Sequence, residues 1–90
     1  MTSLLNRTNK PALTVGIDVA KATLEVAFSD ASAALAPTND EAGHAALLAH
    51  LAALREQGHA IGLIVLEATG GLELDAATAL QLAGWPVVIV

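Results

Sequence analysis

Apolar and polar positions along the chain fall into a small number of patterned stretches. Leu13 to Val19 is apolar at most positions and predicts a first strand, with Asp18 set inside the run Val15-Gly16-Ile17-Asp18-Val19. From Thr23 to Ser29 the alternation is clean: Leu24, Val26 and Phe28 on one side, Glu25, Ala27 and Ser29 on the other. That period of two predicts a half-buried strand. Ala20-Lys21-Ala22 is too brief for a crossover helix, so the two strands are antiparallel neighbours. A third strand is expected over Ala33 to Ala36, after a turn at Asp30-Ala31-Ser32. Thr38-Asn39-Asp40-Glu41 then fits a capping box with Thr38 at the cap. Leu47, Leu48, Leu51 and Leu54 form the apolar stripe of the helix that follows, and Gly58 stops it.

Ile61 to Leu66 is almost continuously apolar, as expected of a strand covered on both faces. Ala68-Thr69-Gly70-Gly71 turns the chain into a second helix, about Leu72 to Ala83, ended by Gly84 and Pro86. Glu73 and Asp75 lie in its first turn, where the helix dipole favours acids. Val87 to Val90 predicts another buried strand. The order strand, strand, strand, helix, strand, helix, strand is satisfied most simply by a hairpin meander and two crossovers. The expectation is a mixed five-stranded α/β sheet, ordered 3-2-1-4-5, with two crossover helices. In it the first and fourth strands are parallel neighbours ~4.8 Å apart. That arrangement is the ribonuclease H-like fold.

Composition narrows the picture. Ninety residues make one small domain with a thin margin of stability. The hydrophobic fraction is 54%, but Phe28 and Trp85 are the only aromatic residues, so the core packs through small side chains. The chain has no cysteine, which removes thiolate metal sites and fits a reducing, cytoplasmic setting. Residues 1–12 read as a flexible leader without the apolar run of a signal peptide, and 13–90 as the folded portion. The uncharged stretch from Ala76 to Val90 is shorter than the ~20 apolar residues of a membrane span. Ending on four aliphatic residues suggests the front part of a longer, truncated protein. The net charge is −5, with Arg7, Lys10, Lys21 and Arg55 the basic residues. Phosphate backbones are held by clustered Lys and Arg, so this piece is not expected to hold nucleic acid alone.

Two acids stand out chemically. Asp18 and Glu67 each sit at an apolar strand, where an unpartnered carboxylate is costly once buried. Each is either a strand-end acid bonded to backbone N–H groups or half of a divalent metal site. Thr69, Gly70 and Gly71 form a tight turn whose N–H groups are also able to cradle a phosphate. Lys21 reads as a solvated turn residue with a minor prospect of touching phosphate. His44 and His50 fall on different faces of the first helix, so His44, His50 and His59 read as packing or surface residues rather than a zinc set. Glu25, Glu73 and Asp75 read as solvated or dipole-facing acids.

Four stretches taken together carry a family resemblance. They are Val15-Gly16-Ile17-Asp18-Val19-Ala20-Lys21, Asn39-Asp40-Glu41-Ala42-Gly43, Leu66-Glu67-Ala68-Thr69-Gly70-Gly71 and Gly84-Trp85-Pro86-Val87-Val88. From Leu13 to Val90 the chain resembles the N-terminal part of the DEDD transposases of the IS-one-ten group, relatives of the pilin-gene inverting recombinase. The resemblance implies a RuvC-like domain, here lacking its C-terminal helices. An Asp-Glu-Asp-Asp set would hold Mg²⁺ while DNA is cut and rejoined. Asp18 matches the first Asp and Glu67 the Glu, as catalytic metal ligands. The family's other two Asp and its serine lie further along than Val90, so this chain alone is expected to bind Mg²⁺ weakly and not to catalyse. Its family often has an aromatic residue where this chain has Leu72. DNA, a guide-like RNA and further subunits are the partners the resemblance implies, and a membrane is not. Two competing readings remain. One is a sugar kinase or actin-like ATPase, which would want a Gly-Thr loop in place of Val19-Ala20-Lys21. The other is a non-catalytic remnant that pairs with intact transposase subunits through its exposed strand.

Overall fold

A computed structural model describes residues 12–30 and 32–90; the expected leader lies outside the described residues except for Ala12. The elements in order are β1 (Leu13–Val19), β2 (Leu24–Phe28), α1 (Glu41–Glu56), β3 (Ile61–Leu66), α2 (Leu74–Leu82) and β4 (Val87–Ile89). They form a mixed α/β structure, a four-stranded sheet ordered β2-β1-β3-β4 with two helices. β1 pairs antiparallel with β2 and parallel with β3, and β4 lies parallel to β3. No helix among the described residues is long and apolar enough to cross a membrane.

The expected five-stranded order is not formed, because Ala33 to Ala36 is not a strand. The segment does run along the outer edge of β2. Leu35 exchanges backbone hydrogen bonds with Val26, at 2.8 and 3.0 Å, and the Leu24 N–H donates to the Pro37 carbonyl at 2.8 Å. Pairing stops at these contacts and an isolated bridge between Thr23 and Thr38. Proline has no N–H to extend a ladder, and alanine offers little side chain to hold one.

Alternation sorts the hairpin by face. Leu13, Val15, Ile17 and Val19 of β1 and Leu24, Val26 and Phe28 of β2 are buried, while the residues between them are exposed. Except for Leu13, these residues meet Leu47 and Leu51 of α1, Ala76, Ala77 and Leu80 of α2, and Trp85 in one core on the buried side. Leu48 and Leu54 of the predicted stripe pack at its margin. Small alanines at the α2 contact let that helix sit close to the sheet, as the composition implied.

Both helices contribute to this one core, and the other face of the sheet stays open among the described residues. β3 is therefore not covered on both sides as its apolar run suggested. Ile64 and Leu66 are fully buried, whereas Leu63 is 39% exposed. Nor is β4 a buried strand: it is the sheet edge, with Val88 and Ile89 each 38% exposed. An apolar run reports what a strand is made of, and the number of covered faces depends on what packs against it.

Helix α1 starts two residues later than a cap at Thr38 would place it. Asp40 is the cap: it is extended, and its carboxylate accepts the Gly43 N–H at 2.8 Å and the Thr38 hydroxyl at 2.7 Å. The Thr38 hydroxyl contact first, and the Gly43 N–H second, hold the Asp40 carboxyl below its ordinary range. Thr38 thus supports the cap rather than forming it. Gly43 is required by space, since a Cβ there would overlap the Thr38 carbonyl. At the other end of α1, the Arg55 guanidinium lies 4.5 Å from the centre of the Trp85 ring, a cation–π contact closing the sheet's far end.

Candidate functional site

The open face places the two sequence-selected acids together. Ile17 and Leu66 are register partners on the parallel strands β1 and β3, and both point into the core. The residues that follow them, Asp18 and Glu67, therefore stand side by side and exposed on the opposite face. The register of two parallel strands brings the carboxylates next to one another, Asp18 inside β1 and Glu67 one residue past the end of β3.

A third carboxylate joins the row. Glu25 is the antiparallel partner of Asp18, and its neighbours Leu24 and Val26 are buried, so it too faces outward. Glu25, Asp18 and Glu67 span three adjacent strands and line one groove of about 700 Å³. Gly16, Ala27 and Val65 form the floor of that groove, and Ala34 to Ala36 form its wall. A Cβ added to Gly16 would meet nothing within 4 Å, so this glycine leaves free space.

Glu25 is exposed, as expected of a solvated acid, and it is also the cross-strand neighbour of Asp18. The signal was present: a short connection between antiparallel strands sets the register, and counting outward from it pairs these two residues. Among the described residues, no three His, Asp or Glu side chains converge closely enough to hold a metal ion. The three carboxylates form a row, not a cage. Lys21 is exposed in the turn that follows β1, as expected of a solvated residue.

The loop after Glu67 is organised from within. Gly70 and Gly71 adopt φ of 69° and 106°, left-handed conformations that favour glycine. The carboxylate of Glu73 turns back and accepts from the Thr69 N–H at 2.9 Å, the Gly71 N–H at 3.0 Å and the Thr69 hydroxyl at 3.2 Å. The expected tight turn is formed, and the Thr69 and Gly71 N–H groups that were also able to cradle a phosphate are taken by the chain's own anion. Glu73 is buried, not solvated, and the Thr69 N–H leads the contacts that hold its carboxyl below the ordinary range. Asp75 remains exposed in the first turn of α2, as a dipole-facing acid.

Of the histidines, His44 is buried and its Nε2 lies 2.9 Å from the Asn39 Oδ1. The His50 ring packs 5.8 Å from Phe28. Both are packing residues, as anticipated. Asn39, which the sequence marks only as part of the stretch leading into α1, also reaches Ala20 and Leu72, 19 and 33 residues away. No protein-family model matches the chain, and no curated protein matches it.

Proposed function

We propose that this chain is the N-terminal part of a RuvC-like DNA transposase domain, in which Asp18 and Glu67 are Mg²⁺ ligands for phosphoryl transfer. One observation carries the reading: parallel pairing of β1 and β3 sets these two carboxylates level on the open face. The donor chemistry fits the ion. Mg²⁺ takes one or two carboxylates, keeps several waters and leaves positions for phosphate oxygens. When bound, Mg²⁺ supplies charge stabilisation at a phosphoryl oxygen. Asp18 and Glu67 would provide hard oxygen donors, and the empty space above Gly16 leaves the groove open to a bulky polyanion.

By itself the chain carries two of the family's four acidic ligands and a net charge of −5, so it binds Mg²⁺ weakly and does not cleave DNA. The kinase-like alternative gains no support, since the turn after β1 contains no glycine and closes on itself through the Ala20 N–H and Thr23 carbonyl at 2.9 Å. Manganese is the practical probe, because it broadens amide resonances near its site. Titration with Mn²⁺ is expected to broaden the amides of Val19 and Ala68 together, and Asp18→Asn to abolish both effects. Broadening that ignores Asp18→Asn, or spreads evenly over all surface acids, overturns the metal assignment. Mg²⁺-dependent DNA cleavage by the isolated chain would sink the prediction of inactivity.

A further inference from the structure

We infer that Asn39 is a positioning residue that sets the spacing between the loop following Asp18 and the loop following Glu67. The inference deepens the reading of these acids as metal ligands and rests on it for its functional meaning. Its geometry stands independently.

Asn39 lies between β2 and α1, and its side-chain amide faces three separate parts of the molecule. Its Nδ2 donates to the Ala20 carbonyl at 2.9 Å, two residues beyond Asp18. The same group donates to the Leu72 carbonyl at 3.3 Å, in the loop that leads from Glu67 into α2. Its backbone N–H donates to the Ala22 carbonyl at 2.9 Å, which anchors Asn39 on the β1–β2 turn.

The orientation of this amide is determined by its surroundings. Two carbonyl oxygens face Nδ2, so that atom must be the donor, and Oδ1 is left towards His44. The His44 Nε2 at 2.9 Å therefore carries a hydrogen and donates to Oδ1. A buried ring on a regular helix thus fixes the plane of the amide, and the amide joins the two loops. Without it the strands β1 and β3 would still pair. The loops beyond their ends would lose their direct tie, and Glu67, one residue past β3, would lose part of what holds it beside Asp18, which stays fixed in β1.

The test begins with geometry and no metal. The chain has no cysteine, so nitroxides can be attached uniquely at Lys21→Cys and Ala68→Cys, both exposed positions. Dipolar broadening in continuous-wave EPR then reports the spacing of the two loops. Asn39→Ala and Asn39→Asp are each expected to weaken or spread that broadening while circular dichroism stays unchanged. The aspartate keeps the size and the oxygen towards His44 but sets an acceptor against two carbonyls, so it separates the bridging role from simple packing. Asn39→Gln is expected to restore part of the coupling by keeping the amide. Unaltered broadening in folded Asn39→Ala and Asn39→Asp overturns the proposal. So does global unfolding of both, which would make Asn39 a stability residue.

Mn²⁺ titration of the unlabelled chain forms the second arm. Asn39→Ala is expected to weaken binding about tenfold, the low end for groups that orient ligands, and to leave Val19 and Ala68 broadened unequally. If the unaltered chain shows no Asp18-dependent broadening, the metal reading fails while the EPR result still decides the role of Asn39.

Discussion

The two faces of the sheet are built from the same strands and obey opposite rules. On the covered face, Val15, Leu24, Ile64 and Leu66 are each 0% exposed, and all four are aliphatic. On the open face the neighbours of these residues are Gly16, Glu25, Val65 and Glu67, small or acidic with one valine between. Moving a single position along a strand passes from a site chosen for volume to a site chosen for access or charge. Stability is concentrated on one side, and the chemistry proposed for the chain is on the other.

Adjacent residues make the sharpest trial of that contrast. Leu66→Ala is expected to cost about 2–5 kcal/mol, a large part of the 5–10 kcal/mol on the order of which a chain of this length depends. Val65→Ala, on the open face, should cost under about 1 kcal/mol. Urea denaturation of the two variants measures the difference, and equal costs would break the comparison. Gly43→Ala comes next, at about 1–3 kcal/mol, because the added methyl must push the Thr38 carbonyl away from the cap.

Acid sharpens the comparison from the loops. The Glu73 carboxyl is held below its ordinary 4.5, so the stability it contributes is complete above that pH and is lost as the pH falls through its folded-state value. Asp40 behaves likewise below its ordinary 3.8. Melting temperature followed downward from neutral pH should begin to fall in this acid range, and Glu73→Gln should flatten part of the fall. The smallest effects belong to the open face. Asp18→Asn is expected to leave the melting temperature within about 2–4 °C, the scale of a surface substitution, while removing Mn²⁺ broadening. A large loss of stability from that substitution would place Asp18 in the framework instead of the candidate site.

Much of the framework was legible because it is local. Leu24, Val26 and Phe28 announced the hairpin by alternation, and Leu47 and Leu51 announced α1 by helical spacing. Asp18 and Glu67 were legible for the same reason, as acids out of keeping with apolar strands. What escaped depended on distant or returning contacts. Ala33 to Ala36 looked extended and is extended, but Pro37 withholds the hydrogen a third ladder would need. Glu73 reads as an ordinary first-turn acid until its carboxylate is seen turned back on Thr69 and Gly71. The reach of Asn39 to Ala20 and Leu72 follows from no pattern of neighbouring residues. One-sided burial of β3 was equally invisible, since an apolar run is the same whether one face or two are covered.

The mixed pairing around β1 has a kinetic consequence. Asp18 meets Glu25 through a tight hairpin, a contact of short sequence separation that forms in about 1–10 μs. Asp18 meets Glu67 only after the chain between them, including all of α1, has closed into the parallel pair. Closure over so long a loop is the slower event, because its entropy is lost before the contact rewards it. The acidic row is therefore assembled in two stages, with its hairpin half early and its parallel half late. A refolding experiment that follows labels on β2 and β3 separately should find the first pair of carboxylates in place well before the second.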